Sequence, residues 1–213
     1  FLKTCRVKLN GKFEKSSNTQ VDIDKDEILF DDEIVIYKEF TYLMLNKPKD
    51  YISATFDPKL PTVLELLEFP YSNMELFPVG RLDIDTTGFL ILTNDGKFSY
   101  NVTNPKKKVN KKYLVTLRDD ISSNQIESLE NGIYFEKEDF TTENAKVEEI
   151  SKREIYLTIS EGKFHQVKRM LEYVGNEVVE LKRVSIGNLS LDEKLELGEY
   201  REITNTELEE IFK

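Results

Sequence analysis

The stretch GRLDIDTTGFLILTNDG, Gly80 to Gly96, constrains this chain more than any other. Phe89, Leu90, Ile91 and Leu92 form an unbroken apolar run that reads as a buried strand. Directly ahead of it stand two carboxylates, Asp83 and Asp85, with Thr86-Thr87-Gly88 as a turn between. If 82–85 is extended, residues two apart point the same way, so both aspartates share a face and Leu82 and Ile84 take the other. A carboxylate held beside a buried strand is partly desolvated, and it stays ionised only with a cation or hydrogen-bond donors next to it.

The rest of the chain decides what scaffold holds this motif. Apolar and turn patterns predict strands over 42–46, 50–55, 88–94, 112–118, 144–150, 154–160 and 199–203. Helices are predicted over 62–68, 97–103, 122–131, 166–174 and 205–212. In the fourth of these, Val167, Met170, Leu171 and Val174 fall on one face and Gly175 is the stop. Strands dominate and do not alternate regularly with helices. The fold class is therefore α+β, with a mixed, mainly antiparallel central sheet and flanking helices. Residues 1–40 read separately: VKLNGK is a strand and turn, and 33–39 alternates as a half-buried strand, too little to hold a core alone. The boundary is placed near 39–41, giving units 1–40 and 41–213.

Composition narrows the function. With 213 residues and 39% hydrophobic content the chain has room for a real core. No apolar run approaches the ~18 residues needed to span a bilayer, so no membrane partner is expected. A single cysteine, Cys5, excludes a disulfide framework and fits a reducing cytoplasm, and a single histidine, His165, argues against a multi-histidine metal site. The formal net charge of -10 argues against a polyanionic partner. Its distribution argues otherwise. Lys106, Lys107, Lys108, Lys111 and Lys112 run together, and Lys163, Lys168, Arg169, Lys182 and Arg183 form a second basic group.

Three readings of the carboxylate pair follow. Both aspartates can cap backbone N–H groups of a turn. The letters DIDTT also match a Mg²⁺-dependent D-x-D-x-T phosphohydrolase, with Asp119 and Asp120 ending a later strand, but that chemistry needs a parallel βαβ scaffold. The third reading is a resemblance that covers 41 to the C-terminus. GRLDIDTTGFLILTNDG resembles the central motif of the pseudouridine synthases, in the branch of the ribosomal small-subunit enzyme A. YLMLNKPKDYISATFDPKLPTVLELL, KKYLVTL and EGKFHQVKRMLEYVGNEVVELKRVSIGNLSLDEKLELGEYREIT resemble its other motifs, in the same order.

The resemblance implies a cofactor-free isomerase that converts a uridine of ribosomal RNA to pseudouridine, the small subunit favoured over the large. A catalytically silent RNA-binding protein is the remaining alternative. It implies that Asp83 is the catalytic carboxylate, that Lys168 pairs with it, and that the ring of Tyr113 packs on the target uracil. Lys in place of the family's common Arg at 168 loses bidentate geometry. Arg81 is implied to hold the RNA open, Leu181 to line the uracil pocket, and Asp85 to shape the turn. His165, Gln166 and Arg169 join Lys106, Lys107, Lys108, Lys111 and Lys112 as RNA-contacting residues, with a structural role favoured over acid–base work for His165. No metal site is implied. The expected partner is ribosomal RNA or a ribosomal assembly intermediate, met by a monomer in the cytoplasm. FLKTCRVKLNGK resembles only the end of the family's small N-terminal RNA-binding module, and with Phe1 in place of an initiator Met the rest of that module is expected to lie outside this chain.

Overall fold

The computed structural model describes residues 1–23, 25–35 and 37–213. They form two compact units, Phe1–Glu39 and Phe40–Lys213. The first is a four-stranded antiparallel sheet in the order β2-β1-β3-β4, built from β1 (Val7–Leu9), β2 (Lys12–Phe13), β3 (Ile28–Phe30) and β4 (Glu33–Ile34). Asn10 and Gly11 take positive φ between β1 and β2, as an Asn-Gly turn requires. The strand expected over 33–39 is shorter and more exposed than its alternation suggests. Among the described residues the strand spans Glu33–Ile34, with the Val35 N–H donating to the Ile28 carbonyl, and Ile36 lies outside the described residues.

The second unit is built on one nine-stranded sheet. Its main path runs β11 (Lys146–Ser151), β12 (Glu154–Ile159), β8 (Lys111–Leu117), β13 (Val178–Ile186), β7 (Thr87–Thr93), β5 (Tyr42–Lys47) and β15 (Tyr200–Glu202). β6 (Phe77–Pro78) pairs with β7 and β14 (Leu189–Ser190) with β13, while β9 (Tyr134–Phe135) and β10 (Phe140–Thr141) form a separate hairpin. Among the described strands only β7 and β13 pair in parallel. The βαβ scaffold that a D-x-D-x-T phosphohydrolase needs is therefore missing from the neighbourhood of the carboxylates. Among the described residues no helix is long and apolar enough to cross a membrane.

Burial explains the two strand textures. α2 (Ser123–Glu130) and α3 (Gln166–Tyr173) contribute Leu129, Val167, Met170 and Leu171 to a core with Leu43, Leu45, Leu90, Leu92, Val115 and Leu157. α1 (Gly96–Thr103) supplies Phe98 and Val102 to a second core with Met44, Phe89, Ile91 and Ile203, against which Leu208 of α4 (Asn205–Glu210) packs. β5 and β7 feed alternate residues to both cores, so both read as continuous apolar runs. β8 and β12 feed mainly one, and alternate.

Two sequence expectations fail here. Residues 50–55 make no strand, only an isolated bridge between Ile52 and Thr62. The nine-residue β13 is missing from the expected strands. Its centre carries Lys182 and Arg183, and a register shift between Arg183 and Ser185 breaks the period-two pattern. Yet β13 makes the junction with β7 that the site is built on. Gly88 permits it: at φ +98, an added Cβ there would stand 2.2 Å from the Arg183 carbonyl oxygen.

Candidate active site

Asp83 sits where the chain turns into β7. Residues 82–85 are not extended. Ile84 and Asp85 form a turn in which the Thr86 N–H donates to the Asp83 carbonyl at 3.1 Å. The segment is pinned from several directions. Buried Ser53 accepts from the Leu82 N–H at 3.0 Å and donates to the Leu82 carbonyl at 3.1 Å, and the Asp50 N–H donates to the Ile84 carbonyl at 2.9 Å. The fully buried Lys47 ammonium donates to the carbonyls of Pro48 (2.9 Å), Ile84 (3.3 Å) and Thr86 (3.0 Å). Burial pushes Lys47 down to about 8, against the pull of the Asp85, Asp83 and Asp50 carboxylates. Neither Ser53 nor Lys47 stands out in the sequence, because a lysine closing a strand before Pro48 reads as a solvated end.

α3 supplies the second half of the site. Lys168 Nζ stands 3.1 Å from Asp83 Oδ2 and 2.6 Å from Asp85 Oδ1. The carboxylates thus meet at one ammonium, brought there by the turn and not by strand alternation. The Asp85 side chain is 62% exposed against 25% for Asp83, so Asp85 is the outer partner. Burial pulls Lys168 down, but its hydrogen bonds to Asp85 and Asp83 more than offset this and hold it above the ordinary lysine value. Burial is the largest single influence on Asp85 and opposes its ionisation, but the Lys168 hydrogen bond and charge, a backbone donor and His165 together outweigh it, so the carboxyl lies below its ordinary value. His165 Nε2 lies 3.5 Å from the other Asp83 oxygen.

An open cleft of about 410 Å³ lies over these groups, lined by Arg81, Asp83, Thr86, Tyr113, His165, Lys168 and Leu181 among others. Tyr113 and Leu181 are 8% and 6% exposed, so each belongs to the core while presenting part of itself to the cleft. Their strands meet here, with Tyr113 opposite Arg183 in the β8–β13 register. A negative group backed by a cation, beside an aromatic and an aliphatic wall, can hold a flat heterocycle against a reactive carboxylate.

Several residues expected to contact RNA are placed otherwise. Gln166 is buried, its amide accepting from the Lys163 N–H at 3.0 Å and donating to Glu161 at 2.8 Å, so both ends close the loop ahead of α3. Arg169 pairs with Glu138 at 2.7 Å and lies over the Phe135 ring. In the lysine run, Lys108 pairs with Glu143 at 3.2 Å and Lys112 with Glu148 at 3.1 Å. Lys111 is 8% exposed, and burial pushes it down to about 8. The run is thus no continuous free cationic edge; Lys106 and Lys107 are exposed.

A family model described as RNA pseudouridylate synthase matches residues 41–173. The chain belongs to this family. It is 48% identical over 211 residues to an uncharacterized RNA pseudouridine synthase of Bacillus subtilis (strain 168), covering 97% of this chain and 88% of the relative. It is 42% identical over 213 residues to the ribosomal small subunit pseudouridine synthase A of Haemophilus influenzae, covering 100% and 91%. The Escherichia coli (strain K12) protein of the same name is 46% identical over 167 residues, covering 78% and 72%. A crystal structure of a pseudouridylate synthase superimposes with a TM-score of 0.77 at 41% identity, covering 99% of this chain and 90% of that one. The α+β fold with its mainly antiparallel sheet is the fold of that enzyme, and the protein is an isomerase that acts on RNA.

Proposed function

We propose that this protein isomerises a specific uridine of small-subunit ribosomal RNA to pseudouridine. The observation that carries the assignment is the 42% identity to a small-subunit pseudouridine synthase A along the whole of this chain. On this reading Asp83, Tyr113 and Lys168 are the catalytic residues, Leu181 lines the uracil pocket, and Arg81 holds the RNA open once the nucleotide leaves its stack.

The chemistry rearranges one nucleotide. The N1–C1′ bond breaks, the freed uracil turns to present C5, and a C5–C1′ bond forms. C5 loses its proton and N1 gains one, so the product is an isomer and no group donor enters. Asp83 acts as nucleophile at C1′ or as base toward the sugar, and both roles need its ionised form. Lys168 at 3.1 Å supplies the compensating charge in a partly desolvated site. Tyr113 and Leu181 would sandwich the uracil while it turns.

The chain is taken to work as a monomer in the cytoplasm, on ribosomal RNA or an assembly intermediate, with residues 1–40 as part of an RNA-docking module. The test is a map of pseudouridines in ribosomal RNA from cells with and without the gene. One site missing from the small-subunit RNA is the expected result. Unchanged maps would overturn the assignment, and a site lost from the large subunit would redirect it.

A further inference from the structure

A second, wider groove opens beside the cleft and shares Arg81, Leu82, Asp83, Gly162, Lys163 and His165 with it. It spans about 1200 Å³ of space open to solvent, and Ile52, Leu60, Ile84 and Phe164 are its apolar lining. Phe164 is 76% exposed, and among the described residues it belongs to neither core cluster. Its ring is stacked on the imidazole of His165, with centroids 3.8 Å apart and planes 18° from parallel. His165 in turn stands 3.5 Å from Asp83. A phenyl ring is thus kept in water in a defined orientation, one imidazole away from the reactive carboxylate.

Single exposed aromatics are ordinary on a protein surface, and Phe56 and Phe69 are comparably open; what sets Phe164 apart is its place in the groove, stacked on the imidazole that faces Asp83. The surroundings indicate what it meets. Arg81 and Lys163 line the groove, with the Lys163 ammonium over the Phe140 ring, in a chain whose net charge is -10. Cations interleaved with an exposed aromatic face are the composition that tracks single-stranded nucleic acid, the cations on phosphates and the ring under a base. A uridine drawn into the cleft leaves its neighbour in the strand with one face unstacked, and that neighbour must lie just outside the cleft.

We propose that Phe164 is the stacking platform for the nucleotide adjacent to the target uridine, and that this groove carries the adjoining strand. The inference rests on the assignment of an RNA uridine as substrate. Stacking of this kind is sequence-tolerant, so Phe164 sets affinity and register more than base identity. Its loss removes binding made equally before and during the reaction, which raises KM and leaves kcat nearly unchanged.

The test uses the full chain and a small-subunit RNA fragment containing the mapped uridine, with 2-aminopurine substituted in turn at the nucleotide on each side. Wild-type protein should modify the fragment and quench the probe at one flanking position. Phe164→Ala and Phe164→Leu should lose that quench and raise KM about 5- to 150-fold, the range of one base–aromatic stack. Phe164→Trp should retain both, and all three variants should keep the wild-type melting temperature. Unaltered KM and quench in Phe164→Leu would overturn the platform while leaving the substrate assignment standing. Failure of the wild type to modify any such fragment would overturn the substrate assignment, and this inference with it.

Discussion

Two lysines converge on the turn that carries Asp83, and they are used in contrasting ways. Lys47 reaches the backbone: fully buried, it donates to three carbonyls, and burial brings it down to about 8. Lys168 reaches the side chains: a quarter exposed, it donates to two carboxylates and is held above the ordinary lysine value. The residue type is the same and the neighbours decide the outcome. Neutral acceptors orient an ammonium without repaying its desolvation, whereas carboxylates repay it. One lysine therefore fixes where the turn is, and the other fixes its charge.

The contrast breaks most visibly at Lys168. Lys168→Met removes the ammonium that bridges Asp83 and Asp85, and turnover should fall about 10²- to 10³-fold, a loss of ~3–4 kcal/mol in the transition state. Lys168→Arg should stay within about tenfold of wild type, because the charge remains and only its geometry changes. Single-turnover assays on the mapped RNA separate these outcomes.

Lys47→Met should act through stability first. It strands buried carbonyls at Pro48, Ile84 and Thr86, at a cost of about 1–3 kcal/mol measured by urea unfolding. The two lysines should also show opposite pH slopes. The folded-state value of Lys47, about 8, lies below the ordinary 10.5, so the unfolded chain binds more protons between those limits. Stability from this group is lowest below pH 8 and rises toward pH 10.5, so the deficit of Lys47→Met should widen over that window. Lys168 has the reverse sign. Its contribution is complete below 10.5 and is lost as pH rises through its elevated folded-state value, so unfolding of Lys168→Met should converge on wild type at the alkaline extreme. The smallest effect belongs to Asp85→Asn. Removing the outer, exposed carboxylate should change turnover by less than about tenfold, because Asp83 keeps its ion pair.

The same contrast separates what is legible in the amino-acid sequence from what is hidden there. β7 is legible because both of its faces are covered and all its core residues are apolar, and β8 because one face is covered and it alternates. α3 is legible from its apolar stripe and from the Gly175 stop, which has positive φ. β13 is not, since Lys182 and Arg183 interrupt it and its shifted register erases the period. The meeting of Asp83 with Lys168 follows from motif resemblance alone, because no local pattern joins residues so far apart in the chain. Lys47, Lys111 and Gln166 mislead for one reason. Their side chains look solvent-bound in sequence, and what buries Lys47 and Lys111 comes largely from other segments, while Gln166 is taken up by the Lys163 N–H and Glu161 of the loop just before it. Arg169, Lys108 and Lys112 are the surface version, tied to Glu138, Glu143 and Glu148.

On the proposed function Asp83 is the reactive carboxylate, and the turn beneath it serves only to hold it. Asp83→Asn keeps the shape and removes the charge, so pseudouridine formation on the small-subunit RNA fragment should fall below detection while RNA affinity stays within a few-fold of wild type. Pseudouridine formation by Asp83→Asn at a rate near that of the wild type would contradict it.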